Sequence, residues 1–190
     1  RQKLHSVCGE FLSSAEPKVP YIIGVADSVG VGKSTTSRVL QALLSHWPDH
    51  PNVALVPTDG FIFPNAVLEE RGVMHRKGFP ESYNTPALLD FLMALKSGAS
   101  HVKAPVYSHH HYDIVPDEYV QVDSADIVIV EGLSILQTGP LLPGGHAPLF
   151  VSDFLDDSIY VDADTDVIES WYVERFQSFQ AAAFQDENAY

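Results

Sequence analysis

The stretch that decides the fold runs from Tyr21 to Thr36 and reads YIIGVADSVGVGKSTT. Its first part, Tyr21 to Ala26, is apolar and β-branched, which predicts a buried parallel strand. From Ser34 to Trp47 apolar residues recur at helical spacing, which predicts an amphipathic helix. The predicted apolar stripe of this helix comprises Val39, Leu40, Leu43 and Leu44. The order is therefore strand, glycine-containing loop, helix.

The loop between them approaches the pattern Gly-x-x-x-x-Gly-Lys-Ser/Thr, in which backbone N–H groups and a helix N-terminus hold phosphate oxygens. Lys33 is predicted to reach the β and γ phosphates of ATP, and the Ser34 hydroxyl to ligate Mg²⁺. The predicted nucleotide-binding residues are Asp27, Ser28, Val29, Gly30, Val31, Gly32, Lys33, Ser34 and Thr35.

Asp27 stands where the pattern has its first glycine. If the loop needs backbone angles that favour glycine here, Asp27 costs on the order of 1 kcal/mol, which Gly30 partly offsets. Its carboxylate repels phosphate unless it points away, pairs with a basic group or turns towards a metal. We expect Asp27 to affect nucleotide binding through its charge more than through its backbone.

Three further strands are predicted at 53–56, 125–130 and 158–161, and each is followed by a carboxylate: Asp59, Glu131 and Asp162. The carboxyl ends of parallel strands share the edge where open sheets bind ligands. Asp59 is a candidate base for an attacking hydroxyl, or otherwise part of a turn-forming Asp-Gly pair. Glu131 is a candidate Mg²⁺ residue, whereas Asp162 is better interpreted as a strand-end cap.

The remaining pattern predicts helices at 86–96 and 165–183, with irregular polar segments at 61–83 and 104–122. His109, His110 and His111 suggest a zinc site, but adjacent residues of an extended chain point to opposite sides, so we expect only one to face a cleft. Arg175 lies one turn after Tyr172 on the last helix, and the pair could meet one ligand or be an exposed cation beside a core aromatic.

Composition narrows the class of protein. The apolar content of 45% predicts a globular domain with a packed core, and a formal net charge of -14 argues against nucleic acid or an anionic membrane as partner. Cys8 is the only cysteine, which suits a reducing compartment, and no apolar run has the length of a membrane helix. We therefore expect a cytoplasmic protein.

The chain resembles the bacterial-type (type I) pantothenate kinases, a family of P-loop kinases. The resemblance extends from Pro20 to Tyr190 through the strings GKSTTSRVLQALLSHWP, TDGFIFPNAVLEERGVMHRKGFPESY, APVYSHHHYD, VIVEGLSILQ, FVSDFLDDSIYVDAD and WYVERFQSF. It implies a three-layer α/β fold with a mainly parallel central sheet. It also implies a cytoplasmic homodimer that uses ATP and Mg²⁺ to phosphorylate pantothenate, the first step of coenzyme A synthesis, with coenzyme A as feedback inhibitor.

The resemblance also assigns roles by position. Asp59 matches the catalytic base, Lys33 the loop lysine, and Arg175 the arginine that stabilises the transferred group. The residues that match the pantothenate pocket are Asp59, Tyr107, His109 and Tyr172. Those that match the coenzyme A site are Arg38, Lys33, His109, Phe176, Phe179 and Phe184.

We expect a single kinase domain over residues 1–190, with a helix tail at 1–19 and the core at 20–190, truncated at the carboxyl end because members of the family continue beyond Tyr190. Two alternatives stay open. One is a nucleotide- or coenzyme-A-binding relative that has lost catalysis, with Asp27 as its mark. The other is a sister kinase for uridine or another small alcohol.

Overall fold

The computed structural model of the chain describes residues 18–27, 31–49, 51–138 and 148–183, apart from the side chains of residues 175 and 179–183. In chain order, the strands and α-helices are β1 (Tyr21–Asp27), α1 (Lys33–Ser45), β2 (Val53–Pro57), α2 (Asn65–Glu70), α3 (Thr85–Lys96), β3 (His101–Ser108), β4 (Asp113–Asp123), β5 (Ile127–Glu131), β6 (Asp157–Val161) and α4 (Thr165–Ala183). Short 3-10 turns occupy Thr58–Phe61, Met74–Arg76, Pro80–Ser82 and Val151–Phe154.

Four parallel strands form the central sheet in the order β2-β5-β1-β6. All five residues of β5 are buried, as expected for a strand with a neighbour on each side and a layer on each face. The first crossover, from β1 through α1 to β2, leaves a gap that β5 later fills. These strands confirm the predicted α/β class with a parallel central sheet.

The two faces of the sheet bury separate apolar clusters. One face, with Val25 and Ile129 at its centre, packs against Leu40 and Leu44 of α1. The other face packs against α3 and the β3–β4 hairpin, where Leu92 and Ala104 are fully buried. Helix, sheet and helix with hairpin therefore make three layers, and the start of α1 lies beside the carboxyl end of β1.

Two predictions about local structure are wrong. Val39 and Leu43 of the predicted α1 stripe are 55% and 68% exposed, because only Leu40 and Leu44 point at the sheet. The segment predicted to be irregular at 104–122 is an antiparallel hairpin, β3 paired with β4, with a register shift between Pro105 and Tyr107. The other predicted irregular segment, 61–83, contains α2 and two 3-10 turns.

The predicted helices at 34–47, 86–96 and 165–183 correspond to α1, α3 and α4 within two residues at each end. Within the described residues, no helix combines the length and the apolar character that crossing a bilayer requires. The predicted helix tail at 1–19 lies outside the described residues, except for its last two positions.

Candidate active site

The carboxyl ends of the parallel strands meet at one edge of the sheet. Asp27 at the end of β1 pairs in register with Val161 of β6, and Glu131 at the end of β5 pairs with Pro57 of β2. Asp59 follows β2 directly in a 3-10 turn. The sheet thus brings together Asp59 and Glu131, which the sequence placed at separate strand ends, and adds Asp27 at the end of β1.

The start of α1 is arranged as an anion site. Gly32 precedes the helix with a left-handed φ of 93°, which glycine adopts without strain, and it has no side chain that could cap the first turn. Thr36 N–H donates to Gly32 C=O, which is the first hydrogen bond of the helix. The N–H groups of Lys33, Ser34 and Thr35 therefore have no helical acceptor, and the helix dipole adds positive potential where they point.

Asp27 binds this anion site from within the chain. Lys33 N–H donates to Asp27 Oδ2 at 3.2 Å. In loops of this pattern such an N–H group donates to a phosphate oxygen, so the carboxylate occupies a donor that phosphate would use. Its Oδ1 is buried without a hydrogen-bond partner among the described residues. Burial raises the pKa of Asp27, and Glu131 and Asp59 act in the same direction, while Lys33 opposes them.

The expected backbone cost of Asp27 is absent, which corrects the prediction. Asp27 belongs to β1 and is not among the described residues with positive φ. Its effect on the loop therefore comes from the carboxylate. Gly30, which we expected to compensate, lies outside the described residues, as do Ser28 and Val29.

Ser34 and Glu131 meet as predicted for the metal. The Ser34 hydroxyl donates to Glu131 Oε1 at 3.1 Å, and Glu131 Oε2 is buried with no partner among the described residues. A buried carboxylate oxygen beside a hydroxyl suits Mg²⁺, which takes oxygen ligands and usually keeps several waters and substrate phosphates. These two residues fit the metal that the motif implies.

The two carboxylate oxygens of Asp59 have different surroundings. The phenol of Tyr83 donates to Oδ1 at 3.2 Å. Oδ2 lies 3.9 Å from Nε2 of His109, beyond hydrogen-bonding distance, and no described residue donates to it. The sequence left two alternatives for Asp59, a turn residue or a base, and they do not exclude each other. Its backbone forms the 3-10 turn, and its Oδ2 accepts no hydrogen bond from a described residue, so Asp59 also remains a candidate base.

A cavity of about 310 Å³ extends from this carboxylate to Ser34 and Arg38 of α1. It is lined by Ser34, Arg38, Leu55, Pro57, Asp59, Gly60, Pro105, Val106, Tyr107, His109, Val120 and Glu131. Burial raises the pKa of Tyr107, with Tyr112, Asp59 and Asp113 adding to the effect, so its phenol remains a hydrogen-bond donor at neutral pH. The hairpin, predicted to be irregular, thus supplies one wall of the cavity.

The three histidines lie on the turn between β3 and β4, not on an extended chain as we had assumed. His109 lines the cavity and its ring contacts that of Tyr107, with 5.2 Å between centroids. His110 and His111 are exposed and contact each other. The described residues contain no group of three side chains that could hold a metal ion, so no zinc site is found among them.

Several predicted site residues are not brought to this cavity. Tyr172 and Phe176 on α4 are 55% and 61% exposed and are not among the described residues that line it. The side chains of Arg175 and Phe179, and the whole of Phe184, lie outside the described part of the chain. Asp162 accepts a hydrogen bond from Ala163 N–H at 3.0 Å, which fits a strand-end cap.

Sequence reasoning missed Tyr83. It precedes Asn84, whose side chain caps α3 by accepting from Ala87 N–H, so the sequence offered a helix start there but no sign that the phenol reaches Asp59. Only the fold brings residues 59 and 83 together, through a β-bridge between Ile62 and Tyr83.

Comparison with family models finds one match. Residues 22–178 match the model of the phosphoribulokinase/uridine kinase family. The chain belongs to the phosphoribulokinase/uridine kinase family. The match extends from the first buried residue of β1 into α4, so it includes every described residue at the strand ends.

Two similar curated relatives are pantothenate kinases. That of Coxiella burnetii (strain RSA 493 / Nine Mile phase I) is 58% identical over 190 residues, and that of Psychromonas ingrahamii is 55% identical over 190 residues. Each alignment includes 100% of this chain, but 60% and 59% of the respective relative. The chain thus spans about three fifths of the length of the pantothenate kinases it matches.

Solved structures share the fold. A candidate fructose transport system kinase from Silicibacter sp. TM1040 superposes with a TM-score of 0.74 and 26% identity, over 93% of this chain and 82% of the other. D-glycerate 3-kinase from Cryptococcus neoformans gives a TM-score of 0.53 at 21% identity, over 72% of this chain and 51% of the other. The second likeness concerns the fold alone.

Proposed function

We propose that this chain is the nucleotide-binding and catalytic part of a pantothenate kinase, which transfers the γ-phosphoryl group of ATP to pantothenate to give 4'-phosphopantothenate. The observation that carries the proposal is Asp59, whose open Oδ2 faces a cavity that continues to Ser34 and Glu131 at the phosphate-binding loop. A base and a phosphate site on one cavity suit transfer to a hydroxyl. The identity of 58% to pantothenate kinases over the whole chain supports pantothenate as the acceptor.

In this mechanism Asp59 Oδ2 accepts the proton of the primary hydroxyl of pantothenate while the hydroxyl oxygen forms a bond to the γ-phosphorus. The bond from phosphorus to the β,γ-bridging oxygen breaks, and ADP leaves with the electron pair. Lys33 and Arg175 are proposed to offset the charge on the transferred group, and Ser34 and Glu131 to hold Mg²⁺. When bound, that ion neutralises phosphate charge.

We further propose Tyr107, His109 and Tyr172 as pantothenate-binding residues, and Arg38, Lys33, His109, Phe176, Phe179 and Phe184 as the site where coenzyme A inhibits. Arg38 and His109 line the same cavity as Asp59, which supports an inhibitor that competes for it. A cytoplasmic homodimer is proposed from the family resemblance.

The test compares acceptors at matched concentrations. Incubation with Mg·ATP and either pantothenate or uridine, with the product identified by mass spectrometry, should give phosphopantothenate and little phosphouridine. Phosphouridine as the main product would replace this proposal with the sister-kinase reading.

A second reading has its own supporting observation, the hydrogen bond from Lys33 N–H to Asp27 at 3.2 Å. A carboxylate on that donor competes with phosphate, so the chain is then a weak nucleotide binder without turnover. Asp27→Gly should lower the Kd for ATP by about tenfold or more, because it frees the half-buried Lys33 N–H donor and removes a like charge. Calorimetry on both chains measures this, and equal Kd values would exclude competition by Asp27.

A further inference from the structure

Tyr83 is held rigidly beside the candidate base. Its side chain is 8% exposed and packs with Ile62 and Leu68 in a small buried cluster. Its backbone forms a β-bridge with Ile62, and the next residue, Asn84, donates its N–H to Phe61 C=O at 2.7 Å. The ring therefore has one position relative to the turn that carries Asp59.

The phenol makes one directed contact, donating to Asp59 Oδ1 at 3.2 Å. Burial, together with the Asp59 charge, raises the pKa of Tyr83, so this group does not ionise at neutral pH and stays a donor. Tyr83 lines a different cavity, of about 180 Å³, on which Asp59 does not lie, so it bonds the carboxylate from outside the proposed active site.

This contact decides which way the carboxylate faces. The terminal torsion of an aspartate is broad, so an unbound carboxylate rotates over a wide range. Asp59 is 27% exposed at its side chain and receives no other hydrogen bond from a described residue. Fixing Oδ1 therefore leaves Oδ2 pointing towards His109 and the cavity of about 310 Å³.

We propose that Tyr83 is a positioning residue, which orients Asp59 so that Oδ2 meets the acceptor hydroxyl. The inference rests on the proposed function, in which Asp59 is the base. Tyr83 itself touches neither reactant and acts only through the carboxylate. A residue of the 61–83 segment, which the family motif does not assign, thereby joins the machinery of phosphoryl transfer.

The alternative is that Tyr83 only fills the core. Tyr83→Phe separates the two, because phenylalanine keeps the ring in its cluster and removes only the hydroxyl. A matched control is Tyr119→Phe on β4, since Tyr119 is 48% exposed and does not line the cavity with Asp59. Thermal unfolding of both variants shows whether the fold is retained.

Steady-state kinetics on the full chain then give the deciding numbers. We expect Tyr83→Phe to lower kcat by about 10- to 100-fold, the cost of a misplaced catalytic group, with KM for ATP and pantothenate within about twofold of the unmodified chain. A kcat equal to that of Tyr119→Phe overturns the inference. So does a loss of kcat that only parallels a loss of folded protein.

A second readout does not depend on turnover. In protein labelled with ¹³C at aspartate carboxyls, the Asp59 signal is identified by its absence in Asp59→Asn. It should shift in Tyr83→Phe and stay in place in Tyr119→Phe, and an unshifted signal overturns the inference. If the unmodified chain fails to phosphorylate pantothenate, the proposed function fails, while this signal still reports whether Tyr83 fixes the carboxylate.

Discussion

At the scale of single residues, Asp27 is where sequence and structure inform each other most. The loop pattern identified the position as unusual, and it predicted that the charge is the relevant property. The pattern did not predict that Asp27 is the last residue of β1 and has no positive φ, because a motif specifies glycine without specifying the backbone angles. The contact with Lys33 N–H also depends on three-dimensional placement across the loop.

The buried carboxylate should make stability depend on pH in a defined direction. Because the pKa of Asp27 is raised above its usual value of 3.8, the folded chain holds a proton that the unfolded chain has already released. This group therefore destabilises the fold as pH rises from near 3.8 through the folded-state pKa. Asp27→Asn should raise the Tm at neutral pH, with a gain that shrinks as the pH falls towards that value.

Thermal unfolding across the acidic range measures this, with the exposed Asp49→Asn as a control for net charge. A gain for Asp27→Asn that matches the control at every pH would show that burial of the Asp27 carboxylate carries no cost.

At the scale of elements, the sheet was predictable and the hairpin was not. Short apolar runs such as Ile127–Glu131 predict buried parallel strands, because a strand that is covered on both faces needs apolar residues at successive positions. The hairpin of β3 and β4 alternates between buried and exposed residues only in the half that begins at His101, it shifts register between Pro105 and Tyr107, and it exposes much of β4, so its sequence resembles a polar loop. The hairpin also contacts the 3-10 turn at Thr58–Phe61 and α3, and local sequence does not encode these tertiary contacts.

Gly60 fixes how closely the hairpin approaches the turn of Asp59. A Cβ at this position would lie 2.0 Å from the carbonyl oxygen of Pro105, which is backbone and cannot rotate away. Gly60→Ala should therefore cost about 1–3 kcal/mol in the free energy of unfolding. It should also lower kcat, because the turn that carries Asp59 has to move away from the β3–β4 hairpin.

Gly72→Ala is the matched control. Gly72 has a φ of 69°, so alanine is strained there by about 1 kcal/mol, but no atom lies within 4 Å of an added Cβ. Denaturant unfolding and pantothenate-dependent turnover should separate the two variants, both losing stability and only Gly60→Ala losing kcat. Normal kcat in Gly60→Ala would mean that the close approach does not position Asp59.

At the scale of the whole molecule, the site is assembled from residues that lie far apart between positions 27 and 131. Strand order brings Asp27, Asp59 and Glu131 to one edge, which sequence reasoning anticipated for Asp59 and Glu131 from the rule for parallel sheets but not for Asp27. It did not anticipate which oxygen of Asp59 is held, since Tyr83 reaches it only through tertiary contacts. The roles of Tyr172 and Arg175 on α4 stay predictions.

We propose that Asp59 is the base for transfer to pantothenate. The most direct measurement is ADP release with Mg·ATP in the presence and absence of pantothenate, for the unmodified chain and for Asp59→Asn, with ATP affinity measured alongside. We predict release that depends on pantothenate, lowered at least about 100-fold in Asp59→Asn, with unchanged ATP affinity because the phosphate-binding loop is untouched. Comparable pantothenate-dependent release from both chains, or release from the unmodified chain that ignores pantothenate, would contradict it.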